Sequence, residues 1–144
     1  MNLVLKSKEL KEALAFSDVG KGISQVLPII AAVHGERGKL ILVEQPEIHL
    51  HPKLQADIAD IFINDQESDQ NKYIIETHSE NLLLRLQSKV RNGKLSPDDV
   101  QIIYLEKNKN GDINPITIKL DHDGRMDQDF PDGFLEIGLN EVLS

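Results

Sequence analysis

Leu40-Ile41-Leu42-Val43-Glu44-Gln45-Pro46-Glu47-Ile48-His49-Leu50-His51-Pro52 is the stretch from which the rest of the chain is read. Its four consecutive aliphatic residues mark a strand buried on both faces. Acids flank Gln45-Pro46, and a His-x-His-Pro run follows. A buried strand that stops in polar, coordinating side chains is how an open α/β sheet builds a site, because ligands gather at the carboxyl ends of its strands. Pro52 suits the first turn of the next helix, where its missing N–H would have no intrahelical partner anyway.

Downstream, Leu54, Ile58, Ile61 and Phe62 give that helix an apolar face, with Lys53, Asp57, Asp60 and Asn64 outward. Gln66 to Asn71 is a polar loop. Tyr73-Ile74-Ile75-Glu76 reads as a second inner strand, ending in Thr77-His78-Ser79-Glu80. Thr77 and Glu80 have capping-box spacing, with Ser79 as the rival N-cap. The helix beyond buries Leu82, Leu83, Leu86 and Val90 and stops at Asn92-Gly93. Ser96-Pro97-Asp98-Asp99 is a capped single turn, and Val100–Leu105 and Ile113–Leu120 are strands joined through Asn110-Gly111.

Upstream, the polar, glycine-punctuated loop Ser17–Gly22 leads into a helix marked by Ile23, Val26, Leu27, Ile30, Ala31 and Val33 and ending near Gly35. Pro28 either follows closely on a start at Ser24 or bends the helix by removing one backbone bond. Residues 1–17 read as a hairpin of Leu3-Val4-Leu5 with Ala13-Leu14-Ala15-Phe16, or as a short amphipathic helix carrying Leu10 and Leu14. The order predicts one α/β domain over residues 1–144. It has a mostly parallel sheet with flanking helices and ends in a β-hairpin and an acidic tail at 121–144.

Charge and composition narrow the partners. Residues 121–144 hold seven acids and one arginine, so they carry −6 of the chain's net −8. That balance predicts contact with nucleic acid only indirectly, through a partner. The tail reads as solvated surface unless Phe130, Phe134, Leu135 and Ile137 anchor it. The chain has no cysteine, which suits a reducing cytoplasm. Its longest apolar run, the eight residues Val26–Val33, is far short of a membrane span.

Two inner strands thus end in polar clusters, Glu44 to His51 on one and Glu76 to Ser79 on the other. An apolar strand ending in adjacent acid and amide is the Walker B arrangement, in which the acid holds Mg²⁺ and the next residue orients the attacking water. A histidine closing the neighbouring strand can hydrogen-bond the transferring phosphate. The Ser17–Gly22 loop adds backbone amides at a helix N-terminus, which attract phosphate.

That order resembles the C-terminal lobe of a P-loop ABC-type ATPase head, and more closely the bacterial ATPases of the overcoming-lysogenization-defect (OLD) family. Asp18-Val19-Gly20-Lys21-Gly22-Ile23-Ser24-Gln25 stands at the signature loop, Glu44 at the Walker B acid and Gln45 at the catalytic glutamate. Leu50-His51-Pro52 falls at the D-loop, and Thr77-His78-Ser79 matches the switch-histidine motif. The resemblance implies ATP and Mg²⁺ handled at a dimer interface. Glu44 would then lie on the metal, Gly20, Gly22 and Ser24 on the partner's γ-phosphate, Gln45 or Glu47 on the water, and His78 on the γ-phosphate.

Three departures and one gap qualify that. Gly20 replaces the signature serine, Glu44 replaces an aspartate, and Gln45 cannot act as a base, which leaves Glu47 as the nearest substitute. A Walker A needs Gly, four residues, then Gly-Lys-Ser/Thr. The Gly-Lys pairs at 20–21, 38–39 and 93–94 are followed by Gly, Leu and Leu. The expectation is a fragment, a split subunit or a frame begun at an internal start, needing a homodimer or a Walker A-bearing lobe for turnover. Two other readings compete: a non-catalytic interaction module with the ATPase fold, and a zinc-dependent hydrolase using His49, His51, His78 and Glu44 as ligands.

Overall fold

A computed structural model describes residues 4–5, 14–15, 21–66 and 71–131. Near the amino end β1 (Val4–Leu5) pairs antiparallel with β2 (Leu14–Ala15). Then follow α1 (Lys21–Gly35), β3 (Leu40–Glu44), α2 (Pro52–Gln66), β4 (Lys72–Glu76) and α3 (Glu80–Arg91). A single 3-10 turn at Pro97–Asp99 precedes the antiparallel hairpin of β5 (Ile102–Lys107) and β6 (Ile113–Ile118). The chain divides into two compact units, residues 1–82 and 83–144.

In the first unit β3 and β4 run parallel, joined through α2, with Leu40 opposite Lys72 and Glu44 opposite Glu76. The α2 face turned inward is Ile58, Ala59, Phe62 and Ile63, and the Phe62 ring packs on Tyr73 with centroids 5.1 Å apart. Leu54, expected on that face, is 51 % exposed because it lies on the first turn, ahead of the buried stripe. Helix α1 packs against α2 and β3 and buries Val33. Pro28 sits inside α1, whose start at Lys21 precedes it by seven residues, so the second sequence alternative holds and the helix gives up a main-chain bond there.

Asn71 joins these layers. It is buried, its Oδ1 accepts the Lys39 N–H, and its Nδ2 donates to the carbonyls of Val33 and Glu36. One side chain thereby fixes the end of α1, the entry to β3 and the entry to β4.

The four-aliphatic run predicts a strand buried on both faces, and the structure covers only one. Leu40, Leu42 and Ile74 are 57, 69 and 57 % exposed. Among the described residues β3 and β4 pair only with each other, so the sheet keeps two open edges and a bare apolar face.

The second unit is built on Leu83, Ile118 and Phe130, with Leu86, Ile102, Tyr104, Ile116 and Met126 packed around them. Phe130 therefore belongs to a core; Phe134, Leu135 and Ile137 lie outside the described residues. Helix α3 ends in a Schellman cap: Lys94 N–H donates to Lys89 O, Gly93 N–H to Val90 O, and Gly93 has φ +64°. The turn at 121–125 lies so close to α3 that a Cβ on Gly124 would clash with the Gln87 carbonyl oxygen. The hairpin loop is organised by Asn108, whose Oδ1 accepts from the N–H groups of Asn110 and Asp112. No helix among the described residues is long and apolar enough to cross a membrane.

Candidate functional site

The parallel register sets Glu44 and Glu76 side by side at the carboxyl ends of β3 and β4, both exposed. The chain leaves β3 through a backbone that only a well-anchored turn sustains. Gln45 has φ +43° and His49 φ +62°, left-handed conformations that cost a non-glycine residue about 1–2 kcal/mol. Three bonds hold Gln45 there: its N–H donates to Glu76 O at 2.7 Å, and its carbonyl accepts from Ile48 N–H and from Gln25 Nε2, each at 3.2 Å. Pro46 behind it is fully buried.

Glu47 is drawn inside rather than presented to solvent. It is 7 % exposed, and its Oε1 accepts the His78 N–H at 2.8 Å. Its Oε2 is buried without a hydrogen-bond partner among the described residues. His78 has an exposed side chain on the short turn between β4 and α3. That turn is held locally as well, since Thr77 Oγ1 accepts the Ser79 N–H and Ser79 Oγ accepts the Leu82 N–H. Ser79 is therefore the N-cap of α3, and the Thr77–Glu80 capping box does not form.

The amino end of α1 comes to the same place. A Cβ on Gly22 would meet Leu50 Cδ2 at 2.9 Å and His49 O at 3.0 Å, so α1 rests its first turn directly on the 46–50 turn. Gly22 is helical rather than part of the preceding loop, while Gly20 lies outside the described residues. Ser24 Oγ donates back to Lys21 O at 2.9 Å.

Sequence reasoning missed Gln55. Its Nε2 donates to Leu50 O, and its Oε1 accepts from Ser79 Oγ and Asn81 Nδ2, all at 3.1 Å. It ties the turn after β3 to the start of α3. The available signal was its place one turn before the buried Ala59, a polar residue on the apolar stripe of α2. Gln25 stands in the stretch matched to the signature loop, but its bond to the Gln45 carbonyl was hidden for the same reason, as that of an amide on a helix start.

The zinc reading is corrected by geometry. Among the described residues no three His, Asp or Glu side chains converge to hold a metal ion. His51 instead closes the start of α2: its carbonyl accepts from the Leu54 and Gln55 N–H groups, and its Nδ1 lies 3.4 Å from Lys53 N. The rim does fit Mg²⁺, which takes one or two carboxylates and fills its octahedron with phosphate oxygens and water. Glu44, with Glu76 beside it, would hold that ion, which when bound neutralises charge on a phosphoryl group.

Two family models match the chain. The first, described as "AAA domain, putative AbiEii toxin, Type IV TA system", covers residues 3–85. The second, a protein family of unknown function (DUF3696), covers residues 95–141. No curated protein matches.

Proposed function

Because the chain belongs to the AAA-domain family whose model spans residues 3–85, a family of ATPases, we propose that it forms the Walker B and switch-histidine half of an ATP-hydrolysing site. The observation that carries this is the register of β3 and β4. It brings the Glu44 carboxylate and the Thr77-His78-Ser79 turn to one sheet edge, with the first turn of α1 seated on the same loop. Glu44 holds the metal, Gln45 orients the attacking water, and His78 donates to the γ-phosphate. Gly22 and Ser24, with Gly20 before them, offer the signature-like helix start to nucleotide on a facing subunit. This is the ABC-type arrangement of the OLD-like ATPases, working as a dimer.

The phosphate loop comes from outside these 144 residues, either on a longer chain or on a partner. The exposed face of Leu40, Leu42 and Ile74 and, among the described residues, the open edges of β3 and β4 support this, because a parallel sheet is stable when both faces are covered. Turnover measured with a lobe carrying Gly-x₄-Gly-Lys-Ser/Thr tests the proposal. The expected result is Mg²⁺-dependent ATP hydrolysis that is lost in Glu44→Ala and His78→Ala. No hydrolysis with the lobe present would instead favour a non-catalytic interaction module, the reading that Gln45 in place of a base favours.

A further inference from the structure

We propose that Glu47 is a positioning residue for His78. It fixes the main chain of the 77–79 turn, and so the stance of the imidazole, through a hydrogen bond rather than by activating water. This rests on the ATPase reading for what His78 does, but not for how His78 is held. A general base must reach its water, at hydrogen-bond distance or through one further water. Glu47 is 7 % exposed and has Oε1 committed to the His78 N–H, so its carboxylate faces the turn and not the open rim where Glu44 stands.

The bond spans 31 residues of sequence and holds the main chain at His78 itself, while the Ser79 side chain is held separately by Gln55 and the rest of the turn by its own neighbours. A bond from a charged acceptor to a backbone N–H is stronger than a neutral one, which suits a part that must not drift. The second oxygen sharpens the argument. Oε2 is buried with no hydrogen-bond partner among the described residues, so the carboxylate meets the turn through Oε1. A neutral amide in the same place would keep an oxygen acceptor for the His78 N–H, and a methyl group would not. Glu47→Gln and Glu47→Ala therefore separate the roles.

The test uses the full 144-residue chain, ¹⁵N-labelled, with amide exchange read at His78 and thermal melts as the control for folding. In Glu47→Ala the His78 amide is expected to lose protection by about tenfold, while the Leu82 amide keeps its own. In Glu47→Gln protection is expected to stay near wild type, with a cooperative melt showing that the chain remains folded. In the ATPase assay with the phosphate-loop lobe, Glu47→Ala is expected to lower kcat by about tenfold with KM little changed, and Glu47→Gln to restore most of it. Unchanged His78 protection in Glu47→Ala would overturn the proposal. So would a Glu47→Gln enzyme as slow as Glu47→Ala, the signature of a base. If the wild type shows no turnover with the lobe, the ATPase reading fails, and the exchange result alone decides how His78 is held.

Discussion

Glu44 and Glu76 are register partners at the carboxyl ends of two parallel strands, a pair of exposed carboxylates held side by side by main-chain hydrogen bonds. Like charges on adjacent strand positions repel, so the pairing weakens the sheet end unless a cation lies between them. Glu44→Gln should therefore leave the melting temperature of the free chain unchanged or slightly raised. In the completed enzyme the same change should lower Mg²⁺-dependent turnover by about a hundredfold. Melts and steady-state rates on the one variant check both halves.

In the proposed ATPase site Gln45 takes the place of the residue that accepts a proton from water, which an amide cannot do. Gln45→Glu should raise turnover of the completed enzyme by about a hundredfold, the contribution of a well-placed general base. Steady-state hydrolysis compared with Gln45→Ala separates a true gain from loss of the amide.

Gly22 is the contact point between α1 and the turn after β3. An added Cβ would meet Leu50 Cδ2, which can swing aside, and the His49 carbonyl, which is fixed in a left-handed turn. Gly22→Ala should cost about 1–2 kcal/mol despite the better helix propensity of alanine, read as a lowered urea midpoint with an unchanged slope.

Tyr73 reports on packing between β4 and α2. Burial, reinforced by the hydrogen bond to Asp65, pushes its hydroxyl from 10.0 up to about 12. The folded form thus favours the neutral phenol. Its stabilising contribution is whole below pH 10 and is lost as pH rises toward about 12. Stability measured from pH 9 upward should fall across that window, and Tyr73→Phe should flatten this part of the profile.

The strands of the site were legible because aliphatic runs ending in acid and histidine leave little choice of fold. Their bare face was not legible. Leu40, Leu42 and Ile74 carry the same signal whether or not a layer covers them, since hydrophobicity records what a residue can bury and not what lies against it. Pro52 and Ser79 announced their helix starts, as local chemistry does. Sequence makes Glu47 a candidate base because it places an acid near the water position, and it does not say which way the turn points the carboxylate. That direction is set by the left-handed residues 45 and 49, and neither is a glycine that would have signalled them. Gln55 and Asn71 were hidden likewise, because one amide looks like another until its partners, far apart in sequence, are brought to it.

The central claim is that these residues are half of a nucleotide site. Isothermal titration of Mg-ATP into the 144-residue chain, first alone and then with a Gly-x₄-Gly-Lys-Ser/Thr lobe, tests it most directly. The account predicts a Kd weaker than about 1 mM for the chain alone and micromolar binding with the lobe, abolished by Glu44→Ala. Micromolar binding by the chain alone, or none with the lobe present, would contradict it.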